Sequence, residues 1–252
     1  MKESKPLRAV VIGCGGIAAQ HLSFLEESPV AELSGVCDLS RATALQARNR
    51  YGCERFFTNH SAMLEECRPD VVHVLTPPGT HAGIATECLE AGCHVIVEKP
   101  MALSAGETRE LFEKARIAGR VVMESQNYRF NEDVLLLSRA VRDGLVGTVS
   151  EVDIRLSLPL RESGNRYSEI DLPHPSHRLP AGVIHEFLTH MCYLMLEFLP
   201  DYSSVRAEWN NYGGEPFRYD DLDTLLFWHN GERPAHGRLR FSAHTAPAEY
   251  RV

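Results

Sequence analysis

Val10-Val11-Ile12-Gly13-Cys14-Gly15-Gly16-Ile17-Ala18 is the stretch whose reading decides the fold. An apolar run ends in a G-x-G-x-x-A turn, and a helical pattern over Ile17–Glu26 takes over from it. Gly13 permits the tight turn, Gly15 lets the backbone approach a pyrophosphate, and the small Ala18 lets helix and strand pack closely. Cys14, Gly16 and Ile17 complete the loop, and the helix N-terminus turns its free N–H groups and positive dipole end toward phosphate. The stretch predicts the first strand, turn and helix of a Rossmann domain, with NAD or NADP as cofactor.

The rhythm continues outward. Leu7–Ile12, Ala31–Cys37, Val71–Leu75, His94–Val97 and Val121–Met123 read as strands, with Arg41–Arg50, His81–Ala91 and Ala105–Ala118 as helices between them. That alternation is the mark of βαβ units on a parallel sheet. Gly92 and Gly119 stand just past their helices, as C-cap glycines do. Beyond about residue 124 the pattern changes to a helix at Val134–Val141, a strand at Val149–Leu158 and a Pro- and His-rich loop from Pro159 to Pro180. A helix over Gly182–Leu199 follows, then strands at Ser204–Tyr212, Leu222–His229 and His236–Ser242. The expected fold is α/β: a doubly wound parallel Rossmann sheet over 1–124, then an α+β domain with a mostly antiparallel open sheet over 125–252.

The 252 residues, 44% apolar and 24% charged, suffice for one large or two modest cores. A net charge of −8 with no Lys/Arg run argues against nucleic acid or an anionic membrane and for a small-molecule partner. No apolar run reaches the ~18 residues that cross a bilayer. Met1–Pro6 is short and charged rather than a leader. A soluble, cytoplasmic protein is the expectation. Cysteines 14, 37, 53, 67, 88, 93 and 192 form no Cys-x-x-Cys pair and read as reduced apolar fillers. Glu26-Glu27, Glu65-Glu66 and Asp220-Asp221 read as solvated faces.

Asp38 lies 22 positions after Gly16, close to the roughly 20 expected of a carboxylate that bonds the adenosine ribose hydroxyls. It favours NAD. Ser40 and Arg41 keep NADP open, because a hydroxyl and a guanidinium there can hold a 2′-phosphate. Asp38 also reads as a helix N-cap and Arg41 as a solvated side chain. Lys99 directly follows the strand Val95–Val97, at the carboxyl end where ligands of such sheets bind. A cation there can hold a substrate oxygen and stabilise developing negative charge, or simply pair with Glu98.

The helix Gly182–Leu199 is apolar over most of its surface, yet Glu186, Thr189, His190, Tyr193 and Glu197 form a polar stripe along one side. Burying such a stripe is costly without partners. Glu186 and His190, one turn apart, fit a carboxylate that orients and charges a general base, or equally a core histidine satisfied by a helix neighbour. His174-x-x-His177 lacks an identifiable third ligand, so no metal is expected.

Thr76-Pro77-Pro78-Gly79-Thr80-His81 and Glu98-Lys99-Pro100-Met101-Ala102-Leu103, taken with the glycine turn, resemble the Gfo/Idh/MocA oxidoreductases over almost the whole chain. The resemblance implies hydride transfer between nicotinamide and a secondary alcohol or ketone of a sugar, polyol or sugar derivative. It implies Lys99 and His190 as catalytic residues with Glu186 positioning the imidazole. Thr76, Pro77, His81, Glu98, Lys99 and Asn127 would face the cofactor, though His81 reads equally as a helix-start histidine, and Arg129, Glu186 and Tyr193 would face the substrate. On the loop, His174, His177 and Arg178 read either as recognising a hydroxylated or acidic substrate or as solvated surface. The chain departs from the family pattern at Glu186 and Tyr193, where many relatives carry aspartates. It departs again at His177–Gly182, where many carry a Trp-Arg pair and a glycine run. The family also admits an NAD-retaining glycosidase and a non-catalytic nucleotide sensor. Its members run on past Phe241-Ser242, so the expectation is either a truncated chain or an exposed sheet edge, which would pair most simply in a homo-oligomer through the C-terminal sheet.

Overall fold

The computed structural model describes residues 5–171, 174–228, 234–244 and 248–251. His229, with which the sequence pattern ends a strand, and Met1–Ser4 of the charged start lie outside the described residues. The chain divides into two compact units, Met1–Ser125 and Gln126–Val252.

The first unit runs β1 (Leu7–Ile12), α1 (Ala18–Glu27), β2 (Ala31–Cys37), α2 (Arg41–Arg50), β3 (Phe56–Phe57), α3 (His60–Cys67) and β4 (Val71–Val74), followed by α4 (His81–Glu90), β5 (His94–Val97), α5 (Ala105–Ala118) and β6 (Val122–Glu124). The six strands are parallel, in the order β3-β2-β1-β4-β5-β6. β1 shows why the sheet is wound on both faces. Its Val10 and Ile12 pack with Val72, Val74, Val95 and Leu111 in one core, and its Ala9 and Val11 pack with Leu22, Leu25 and Val36 in the other. Alternating residues of one strand thus feed opposite faces. Burying a Val or Leu there contributes about 1.5–3 kcal/mol each.

Local caps fix the helix starts. Ser40, Asn59 and Ser104 accept the N–H groups of Thr43, Ala62 and Glu107, and Gly119, at φ +62°, ends α5. β3 and α3 escape the sequence pattern, since two residues cannot show a strand's period and the short α3 announces itself only through the Asn59 cap.

The second unit runs α6 (Glu132–Arg142), β7 (Glu151–Ser157), α7 (Val183–Phe198), β8 (Ser204–Asn210), β9 (Asp221–Trp228), β10 (Ala235–Ser242) and β11 (Glu249–Arg251). Its sheet has the order β11-β7-β10-β9-β8, antiparallel except for β7 with β10. α7 covers one face, where Val183, Ile184, Met191, Leu194 and Met195 pack with Ile154, Leu156, Leu222, Leu239 and Phe241. On the alternate positions Arg240 pairs with Asp153 at 2.7 Å, Arg238 pairs with Asp223, and Arg155 pairs with Glu249 at 3.5 Å.

The sheet is open, with β11 and β8 as its edge strands and β10 inside it. One expectation is corrected here. Asp220, read as a solvated carboxylate, is fully buried. It accepts the Tyr212 and Gly213 N–H groups at 2.8 and 2.9 Å and pairs with Arg161 at 3.1 Å and His244 at 2.9 Å. Those partners offset its desolvation.

Gly13, at φ +94°, has no room for a side chain, since a Cβ there would stand 2.7 Å from the Leu75 carbonyl oxygen. Gly13→Ala is expected to destabilise the fold by about 1–3 kcal/mol, read as a lower urea midpoint at unchanged slope. An unchanged midpoint would show that the turn relaxes around the methyl.

Candidate functional site

In the first unit, the carboxyl ends of β1, β4 and β5 stand level, Ile12 beside Val74 and Val74 beside Val97. The segments that follow them are Gly13–Ile17, Leu75–Thr80 and Glu98–Ala102. Chain order reverses between β2 and β4 on either side of β1, and open α/β sheets bind their ligands at such a reversal.

The Gly13 N–H donates to the Cys37 carbonyl at 2.8 Å. The Cys14 N–H donates to Asp38 Oδ2 at 3.0 Å, and the Ser40 N–H to Asp38 Oδ1 at 2.8 Å. Asp38 therefore ties the turn to the end of β2. The N-cap of α2 is Ser40, so the capping role read for Asp38 falls to its neighbour. Arg41 lays its guanidinium over the Phe56 ring, 4.9 Å from the centroid. At Gly15 and Gly16 no described atom comes within 4 Å of where a Cβ would stand. Among the described residues α1 begins at Ile17 with no side-chain cap and no acidic residue in its first turn. An uncapped helix start, an open glycine pair and a fixed carboxylate at the next strand's end suit a dinucleotide's pyrophosphate and ribose. Burial and then the Asp38 charge push the Cys14 thiol up to about 12, which makes it filler.

Thr76 and Pro77 begin the loop after β4, where the Thr80 hydroxyl donates to Thr76 Oγ1 at 2.7 Å. Two residues expected at the cofactor instead place their polar atoms inside the unit. His81 is 1% exposed, with Nδ1 2.8 Å from the Pro100 carbonyl oxygen and Nε2 2.6 Å from that of Thr76. Glu98, 8% exposed, sets Oε1 3.3 Å from His21 Nε2 and accepts the Lys99 N–H on Oε2 at 3.2 Å. Burial works to raise the Glu98 carboxyl. Hydrogen bonds from His21 and Ser125, with the Lys99 charge, outweigh it and hold the group below its ordinary value. His21 in turn sets Nδ1 3.0 Å from His73 Nδ1. Burial, and then the nearby His21, push His73 down to about 4. Sequence reasoning missed both histidines, since nothing in their spacing joins α1 to β4.

In the second unit, His190 is 5% exposed on α7. Its Nδ1 lies 2.6 Å from the Tyr193 hydroxyl, which also accepts the Tyr128 N–H at 3.1 Å. The Tyr128 ring stacks on the imidazole, with centroids 4.2 Å apart and planes 17° apart. Sequence reasoning missed Tyr128, which stands between Asn127 and Arg129. Glu186, read as the carboxylate that orients His190, accepts the Tyr167 hydroxyl on Oε1 at 3.2 Å and sets Oε2 3.9 Å from His174 Nδ1. Burial, and then the Glu186 charge, push Tyr167 up to about 12, so it stays a donor.

His177 places Nε2 2.8 Å from the Tyr167 carbonyl oxygen and supports the loop. Arg178 and Asn127 are exposed, and Arg129 pairs with Glu197. Among the described residues no three His, Cys, Asp or Glu side chains converge as metal ligands, and no helix is long and apolar enough to cross a membrane.

Residues 7–126 match the oxidoreductase family with an NAD-binding Rossmann fold, GFO_IDH_MocA. Over these residues, the first unit, the chain matches this family. D-glucoside 3-dehydrogenase of Escherichia coli K12 is 35% identical over 162 residues, which cover 64% of this chain and 45% of that protein. D-apiose dehydrogenase of Paraburkholderia graminis is 29% identical over 144 residues, which cover 57% and 38%. The chain thus spans less than half the length of these two curated relatives. WlbA dehydrogenase from Chromobacterium violaceum, solved with NADH and UDP-GlcNAcA, matches with a TM-score of 0.85 at 26% identity, over 97% of this chain and 69% of that one.

His73 gives this site a pH signature. Between its ordinary 6.5 and about 4, the unfolded chain binds a proton there that the folded chain excludes, so stability is full above 6.5 and falls toward pH 4. His73→Asn should shrink the stability lost over that interval by up to about 3 kcal/mol, measured by urea unfolding at several pH values. Parallel losses in both chains would remove His73 as the source.

Proposed function

We propose that this chain is an NAD-dependent dehydrogenase acting on a secondary alcohol of a sugar, polyol or sugar derivative, or on the corresponding ketone in reverse. The observation that carries the reading is the glycine turn tied to Asp38 beside an uncapped helix start. The backbone of Gly13, Cys14, Gly15, Gly16, Ile17 and Ala18 would hold the pyrophosphate, Asp38 the adenosine ribose, and Thr76 and Pro77 the nicotinamide end. When bound, NAD supplies an acceptor for the hydride that leaves the alcohol carbon. A fixed carboxylate at the ribose and an Arg41 stacked on Phe56 favour NAD over NADP.

Lys99, at the carboxyl end of β5, is assigned to hold the hydroxyl oxygen and stabilise its developing charge. His190 is assigned to take the hydroxyl proton, with Tyr193 and Tyr128 fixing the ring. Glucoside and apiose dehydrogenases among the relatives support a sugar hydroxyl as the reacting group.

Calorimetry should show NAD binding. A scan of sugar alcohols, glycosides and nucleotide sugars should give reduced cofactor that Lys99→Ala lowers by about 10²–10³-fold. Binding without turnover would move the reading to a glycosidase that retains NAD or to a sensor, and no binding would end it. Separately, Asp38→Ser should shift the ratio of NADP to NAD affinity toward NADP by on the order of 10-fold, about 1.4 kcal/mol. An unchanged ratio would take cofactor choice away from Asp38.

A further inference from the structure

Lys99 sits in a segment anchored from both sides. Before it, the Glu98 carboxylate faces His21 of α1 and accepts the Lys99 N–H itself. After it, the Pro100 carbonyl oxygen faces His81 of α4, and the Met101 N–H donates to Glu124 Oε1 at 2.8 Å. A lysine that merely reached into solvent would need none of these anchors.

The innermost anchor has a defined proton inventory. Two Nδ1 atoms 3.0 Å apart share one proton, so one ring donates and the other accepts. A neutral His21 that accepts on Nδ1 carries its own proton on Nε2, the nitrogen 3.3 Å from Glu98 Oε1. His73 must then hold its proton on Nδ1. This arrangement satisfies every facing atom with two neutral rings, and burial of His73 to 4% exposure favours a neutral ring there. Ser125 adds a further hydrogen bond to Glu98.

We propose that His21 and His73 are positioning residues for Lys99: His73 fixes the His21 ring, His21 fixes the Glu98 carboxylate, and Glu98 fixes the lysine's backbone N–H. The proposal rests on the reading of Lys99 as the group that holds the substrate oxygen. A side chain on a segment held this way stays within the narrow placement that oxygen binding demands, where an error of about 1 Å costs on the order of 10²-fold.

The test compares His21→Leu with His21→Gln, whose amide can still donate to Glu98. His21→Leu should lower kcat on the order of 10-fold with the NAD Kd within about twofold of wild type, and His21→Gln should recover most of the loss. Two readouts need no turnover. Long-range proton–nitrogen NMR of the unliganded protein should show His21 protonated on Nε2 and bare on Nδ1, with His73 protonated on Nδ1. The Lys99 and Met101 amide resonances should move in His21→Leu and return in His21→Gln, with those of Gly13 and Gly15 unmoved. The opposite tautomers, or amides unmoved in both variants, overturn the proposal, as does wild-type kcat in His21→Leu. If the wild type turns over no substrate, the dehydrogenase reading fails and the NMR readouts still decide the positioning role. If His21→Leu does not fold, His21→Gln and His73→Asn give the same amide comparison.

Discussion

Everything in the first unit hangs on the parallel hydrogen-bond ladders on both sides of β1. One ladder sets β1 against β2, which places Cys37 and Asp38 beside the glycine turn, and the other sets it against β4, which places Leu75 and Thr76 there. Because the side chains of β1 feed cores on both faces, a slip of its register would expose one core and break the other. The positions of Asp38 and Lys99 are inherited from that constraint.

Two buried carboxylates among the described residues, Glu98 and Asp220, have their oxygens engaged by protein donors. Glu98 is met by His21, Ser125 and a backbone N–H, and Asp220 by two backbone N–H groups, an arginine and a histidine. Both carboxyls are held below their ordinary range despite burial. The difference lies in what each arrangement holds. Asp220 closes a loop against the start of β9, whereas Glu98 touches the backbone of the residue on which the proposed chemistry turns.

The parallel sheet, the turn at Gly13 and the helix around His190 were legible because long apolar runs, a glycine pattern and helical spacing are local signals. β3 and β11 were not, since strands of two and three residues carry no period. Side-chain partners were the least legible. Glu186 and His190 are one turn apart and read as a pair, but a phenol three residues on reaches the imidazole and a tyrosine from the preceding loop reaches the carboxylate. The histidines at 21 and 73 meet only once α1 is laid against β4, which no window of sequence contains.

The cysteine in the glycine turn has a consequence for the chemistry the protein can survive. With its thiol pushed up to about 12 by burial and then the Asp38 charge, Cys14 stays protonated at neutral pH. Peroxides and alkylating agents react with the thiolate, so the turn carries a sulfur atom that they attack slowly. A nucleotide loop of this composition carries its sulfur in the protonated, less nucleophilic form.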